Sequence, residues 1–307
     1  MRIHILQAFM MLATAAALVA PARAQDTLQA ALRAKFEADL ARVAQPLDGV
    51  MGYAIKDLTT SDAFFLHPDT VFPQASSIKL TVLLELLRQD QEGKLLLGEK
   101  HTILRREMTV GDDEPIITML GDGTVTMSLR DLATFMVVLS DNTATNILID
   151  RVGMENVNAE IARLGLKETK LRRHMIDLEA AKRGDENVST PREMLMLLEK
   201  IRGGSVLDAA HTQEYFRLLK LPKQSEFHNA LPENVPIADK PGVLEAVRCD
   251  SGIIDIPGHP FILAVMTTYN ADDRAGERAI EGIAKLAYSY FSRLSRASSY
   301  GRIIWEK

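Results

Sequence analysis

The sequence predicts an α+β fold: a five-stranded antiparallel sheet built from both ends of the chain, flanked by helices, with an all-helical lobe inserted between its strands. Three observations carry that expectation. Two strand-like segments near the start, "GVMGYAIKDL" (49–58) and "DAFFLHP" (62–68), are joined by a short Thr-Thr-Ser turn. Three more lie near the end: "VPIADKPG" (235–242), "AVRCDSGIIDIPG" (246–258) and "PFILAVMTTYN" (260–270). The long stretch between them is dominated by helical periodicity, and no linker rich in Pro, Gly and Ser divides it into independent domains. The expected sheet part covers about 25–70 and 220–307, and the lobe about 71–219.

The elements follow in order. Residues 1–24, "MRIHILQAFMMLATAAALVAPARA", have a basic start, an apolar middle and an Ala22-Arg23-Ala24 ending. That is the pattern of a secretory leader cut before Gln25, leaving a secreted, periplasmic chain with no membrane attachment. A helix is expected over 26–44 behind an Asp cap, and another over about Ser76 to Gln89. The acids and glycines of 107–126 read as a loop. "SLRDLATFMVVLS" (128–140) opens with a Ser cap and Asp three residues on, and helices over 142–153 and 154–165 each stop at glycine. Residues 166–190 read as a long loop with room for one helical turn. "TPREMLMLLEKIRGG" starts on a Thr cap and a first-turn proline, "SVLDAAHTQEYFRLLKL" follows as a helix, and a last helix spans about 273–295.

Composition narrows the function classes. Without the leader the chain carries 34 basic and 41 acidic residues, a net charge of −7, which argues against nucleic acid as a partner. Cys249 is the only cysteine, so an exported chain must rely on its core rather than on intrachain disulfides. The seven histidines are scattered with no His-x-x-x-His pair, so no metal or other cofactor is expected. A monomer acting on a small molecule fits these bounds.

Three short motifs carry the chemistry. In "FPQASSIKL" (72–80), Ser76 and Lys79 are three residues apart at a helix start. On one helical face they are neighbours, and a lysine whose pKa is lowered by burial or nearby positive charge can take a serine proton. The N-terminal dipole favours the negative charge that develops, and the Ser76 N–H can serve an oxyanion hole. Ser140-Asp141-Asn142 lies between two helices. Taken alone it reads first as a helix cap; the functional reading makes it a proton-relaying hydroxyl (Ser140), a tether (Asp141) and a substrate-amide ligand (Asn142). Lys240-Pro241-Gly242-Val243 ends a strand, where Lys240 can hold a carboxylate, Gly242 allows a close backbone approach and Val243 offers an N–H.

The order Ser-x-x-Lys, Ser-Asp-Asn, Lys-x-Gly resembles the serine β-lactamase and penicillin-binding superfamily, and within it class A. The resemblance spans nearly the whole mature chain and is strongest in "SLRDLATFMVVLSDNTATNILIDRVG" and "VSTPREM". It implies that Ser76 is the nucleophile with Ser77 supporting it, that Lys79 is its base and that Ser140 relays a proton. It further implies that Asn142, Lys240, Gly242 and Val243 hold a β-lactam or peptidoglycan-like substrate.

Two departures stand out. Pro241 replaces the usual Ser or Thr between Lys and Gly, removing a hydroxyl and an N–H, and Arg248 on the next strand is the candidate to compensate. Class A relatives also carry a loop glutamate that activates the deacylating water. Here Met175 stands at about that place, with Asp177 and Glu179 as the nearest candidate bases. No counterpart of the aromatic gate of many relatives is evident in 107–120. The expectation is therefore a β-lactamase. A relative that is acylated but released slowly, and a non-catalytic binder of peptidoglycan-like peptides, are the alternatives.

Overall fold

The structure is a computed structural model, and it describes residues 27–109, 116, 123–298 and 300–303. The leader and most of the 107–120 stretch lie outside the described residues. Five strands, β1 (Val50–Asp57), β2 (Ala63–Leu66), β7 (Ile237–Leu244), β8 (Val247–Ile254) and β9 (Phe261–Thr268), form one sheet in the order β2-β1-β9-β8-β7. Every pairing is antiparallel. The expected sheet is thus present, and its closing seam, β1 against β9, joins the two ends of the chain.

Strand alternation sends side chains to two separate apolar layers. Tyr53, Ile55, Leu263 and Val265 face α1 (27–44) and α10 (Asp273–Arg296), where the Phe36 ring stacks on Tyr290 with centroids 4.3 Å apart. Ala54, Ala264, Met266 and Ile253 face the helical lobe. The lobe contains α2 (Lys79–Gln91), α3 (Leu129–Val138), α4 (Asn142–Val152), α5 (Met154–Arg163), α6 (Leu178–Lys182), α7 (Pro191–Arg202) and α8 (Ala209–Leu219). A short α9 (Glu226–Ala230) leads back into the sheet.

Helix α2 is the axis of the lobe. Leucines and valine occupy six of its thirteen positions, and ten of the thirteen residues are buried. A helix that is apolar nearly all round belongs inside a protein, and this one carries Lys79 in with it.

Several elements differ from the sequence expectation, each for a local reason. The helix expected from Ser76 begins at Lys79, because Ala75 has a φ of +45° and Ala75–Ile78 forms a 3₁₀ turn, with Ser77 N–H on the Gln74 carbonyl at 2.9 Å. The helix expected from Ser205 begins at Ala209, where Asp208 accepts from the His211 N–H. The loop at 166–190 has no apolar pattern but is ordered by side chains that replace ladder bonds. Glu193 accepts from the N–H groups of Lys167, Glu168 and Thr169, and Asn187 from those of Arg172 and Arg173. Two two-stranded ladders were also not foreseen: β3 (Phe72–Pro73) with β6 (Val188–Ser189), and β4 (Lys100–Ile103) with β5 (Val125–Ser128).

Gly242 sets how closely the sheet approaches the turn that carries Ser76. A Cβ there would lie 2.6 Å from the Gln74 carbonyl oxygen, 2.7 Å from Cys249 Sγ and 2.9 Å from the Ser77 nitrogen. Two of these neighbours are backbone and cannot step aside. Gly242→Ala is therefore expected to cost roughly 1–3 kcal/mol. The loss should persist in Gly242→Ala/Cys249→Ala, because the backbone clash remains. Urea unfolding midpoints of the single and double variants check this; a double variant as stable as Cys249→Ala would contradict it.

Candidate active site

The 3₁₀ turn treats its two serines differently. Ser77 is fully buried, and its hydroxyl donates to the Lys240 carbonyl at 2.7 Å, tying the turn to β7. The Cys249 thiol reinforces this tie by donating to the Gln74 carbonyl at 3.1 Å, and burial pushes that thiol up to about 12, far from a reactive thiolate. Ser76, by contrast, is half-buried and lines a cavity of about 960 Å³. Of the two serines, only Ser76 faces space that a substrate can occupy.

Lys79 is completely buried beneath that cavity. Its Nζ donates to the Ser140 carbonyl (2.6 Å), the Ser140 hydroxyl (3.2 Å) and Asn142 Oδ1 (3.0 Å). Asp141 fixes this corner: its carboxylate accepts from the N–H groups of Ala144 (2.6 Å) and Ile116 (2.9 Å), capping α4. Asp141 thus takes the cap reading, while Ser140 and Asn142 turn toward Lys79. Ser140 has a φ of +55°, which like the +45° of Ala75 is costly for a residue with a side chain. Such strain is stored where a site needs a particular direction.

Lys240 approaches Ser140 from the opposite side. It is 1% exposed, and its Nζ donates to Ser140 Oγ at 3.1 Å and to the Pro241 carbonyl at 3.0 Å. Burial lowers its pKa to about 8, with Lys223 adding to the effect and Asp239 and Asp250 opposing it. Pro241 is tolerated because β7 is an edge strand, where a missing N–H breaks no ladder bond. Val243 lines the cavity one position beyond Gly242.

Other candidates lie elsewhere. Arg248 does not line the cavity: its guanidinium pairs with Glu277 (3.1 Å) and Asp273 (3.3 Å) of α10 and donates to the Leu244 and Val247 carbonyls. It sits on the face of β8 that turns toward α10, so it does not replace the hydroxyl lost at Pro241. Asp177 caps α6 through the Ala180 N–H, and Glu179 is exposed and paired with Lys182. Neither is among the residues lining the cavity with Ser76. Met175 is buried, with its N–H on Asn146 Oδ1 (2.8 Å) and its carbonyl on Asn146 Nδ2 (3.1 Å).

The sequence reading missed the other wall of the cavity, formed by Lys223, Ser225, Glu226, Asn229 and Glu277. The signal was there: "SEFH" is a Ser cap, with Ser225 Oγ on the His228 N–H at 3.2 Å. Behind this wall lies a buried ionic cluster. Burial alone would raise Asp239, but His228, Lys223 at 2.9 Å and Ser225 outweigh it and hold the carboxyl at about 2. Asp250 is pushed well above the carboxylate range by burial and by the charges of Asp239 and Glu226. Glu226 is pushed up to about 7 by burial, with Glu277 and Asp239 outweighing Arg248.

A family profile described as "Beta-lactamase enzyme family" matches residues 35–291. The chain belongs to the beta-lactamase enzyme family. Within it, the chain is 28% identical over 256 residues to "Beta-lactamase SME-1" of Serratia marcescens, covering 80% of this chain and 85% of that protein. Among solved structures it is similar to a beta-lactamase from Sphaerobacter thermophilus, at 27% identity and a TM-score of 0.75, covering 84% of this chain and 97% of that one. It is also similar to an ancestral class A beta-lactamase, at 25% identity and a TM-score of 0.76, covering 83% and 100%. The expected fold class and family both hold.

The raised Glu226 has a consequence for stability. A carboxyl with a folded pKa above its unfolded value contributes stability that is full below about 4.5 and is lost as pH rises through about 7. Glu226→Gln is therefore expected to match the parent near pH 4.5 and to be more stable above pH 7, by roughly 1–3 kcal/mol. Urea unfolding at the two pH values checks the sign; a variant less stable at high pH would contradict it.

Proposed function

We propose that Ser76 is the nucleophile of a serine β-lactamase that opens the β-lactam ring through an acyl-enzyme. Family membership supports the reaction class, and one observation carries the assignment of roles: Ser140 Oγ lies between the buried Nζ groups of Lys79 and Lys240. A hydroxyl oxygen that accepts from two N–H donors keeps its own proton available to donate.

The reaction balances as follows. Ser76 Oγ attacks the ring carbonyl while its proton passes to Lys79, which must be in its neutral form at that moment. The carbonyl oxygen takes the negative charge and meets the N–H groups of Ser76 and Val243. When the C–N bond breaks, Ser140 delivers its proton to the ring nitrogen and recovers one from the lysines. Asn142 and Lys240 hold the substrate's amide and carboxylate, and Gly242 lets β7 lie close to both. Water then cleaves the Ser76 ester. The enzyme acts outside the cytoplasm after loss of its leader, as a monomer free of the membrane.

A second reading, acylation with slow release, is favoured by one specific observation. Met175 offers its backbone to Asn146 and has no carboxylate, while Asp177 and Glu179 are engaged at α6. A chromogenic cephalosporin followed by colour and intact mass together separates the two. Continuous colour without a lasting adduct is expected for the β-lactamase, and a one-equivalent burst with a persistent adduct for the second reading. In Ser76→Ala both signals should vanish with the fold retained; activity surviving in that variant would contradict the assignment.

A further inference from the structure

Glu226 is 6% exposed, lines the cavity shared with Ser76, and has no hydrogen-bond partner at Oε2. An unpaired buried carboxylate oxygen is expensive, so such a group holds a proton or gains from a countercharge nearby. Glu277 stands on the same wall with its side chain 41% exposed, and the Arg248 beside it is shared with Asp273. Of the two lysines of the cavity, Lys223 is committed to Asp239, and Lys240 lies at the Ser140 end, where it serves the substrate's carboxylate. His228 lies 3.5 Å from Asp239. This end of the cavity therefore offers carboxylates to a ligand, with Lys223 paired to Asp239 and His228 Nε2 without a hydrogen-bond partner among the described residues.

We propose that the Glu226–Glu277 wall is a subsite for a cationic group, an ammonium or guanidinium, on the part of the substrate that lies over β7 and α9. This rests on the reading that the cavity takes an acyl substrate, and it deepens that reading. A cation held against this wall gives the buried Glu226 carboxylate a countercharge, which offsets part of what burial took from it. A carboxylate at the same place meets like charge and is disfavoured.

The charge state follows pH. Burial and the neighbouring carboxylates keep part of the Glu226 population protonated near neutrality, and they push Asp250 of β8 well above the carboxylate range. The cation subsite is therefore strongest above about pH 7 and weakens on acidification as Glu226 takes a proton.

The test is equilibrium binding of three matched amides, phenylacetylglycine coupled to 1,3-diaminopropane, to propylamine and to β-alanine. These are unreactive, so binding is read independently of acylation, and a silent cephalosporin assay would leave this measurement intact. At about pH 8 the ammonium amide is expected to bind about tenfold tighter than either of the others, with the margin shrinking at about pH 5.5. Glu226→Gln should remove the margin while remaining folded. The inference is overturned if the carboxylate amide binds as well as the ammonium one or if the preference survives Glu226→Gln. Absence of saturable binding of the ammonium amide up to about 10 mM would also overturn it.

Discussion

Two buried lysines converging on one serine hydroxyl set the terms for the rest of this structure. Lys79 and Lys240 are 0% and 1% exposed, and both donate to Ser140 Oγ. Two Nζ groups cannot be buried this close together unless each is supplied with oxygen acceptors. The Ser140 carbonyl, Asn142 Oδ1 and the Pro241 carbonyl supply them, and Ser140 takes a left-handed φ of +55° there. Asp239 of β7 favours the charged form of Lys240 against burial and the neighbouring Lys223.

The fold delivers these groups from three separate parts of the chain. Helix α2 is apolar enough to carry Lys79 inside, the Asp141 cap aims Ser140, and β7 presents Lys240 along its edge. Ser77 and Cys249 join the first part to the third, and Gly242 makes room for the junction. Ser76 is left half-buried at the cavity because its neighbours absorb the structural work.

Much of this was legible in the residues, and the reasons differ by element. The sheet was readable because its strands alternate or run apolar between turn residues, as in β9. The three motifs were readable because chemistry fixes residue types at short spacing. What sequence could not convey was direction in space. Arg248 looked available to a substrate, yet strand alternation turns it to α10. Asp177 looked like a base, yet the start of a helix claimed its carboxylate. The acidic wall at Glu226 and Glu277 joins residues 51 positions apart, on α9 and α10, and no local pattern links them. The order in 166–190 comes from side-chain acceptors such as Glu193 and Asn187, which hydrophobic periodicity does not register.

In the proposed mechanism Ser140 Oγ, poised between the two lysines, moves the proton that lets the leaving nitrogen depart. The most direct measurement is the single-turnover acylation rate of Ser140→Ala with a chromogenic cephalosporin, with circular dichroism showing the fold retained. Loss of a general acid of this kind predicts a fall of about 10²–10⁴-fold in the acylation rate. Acylation of Ser140→Ala at the parent rate would contradict the account.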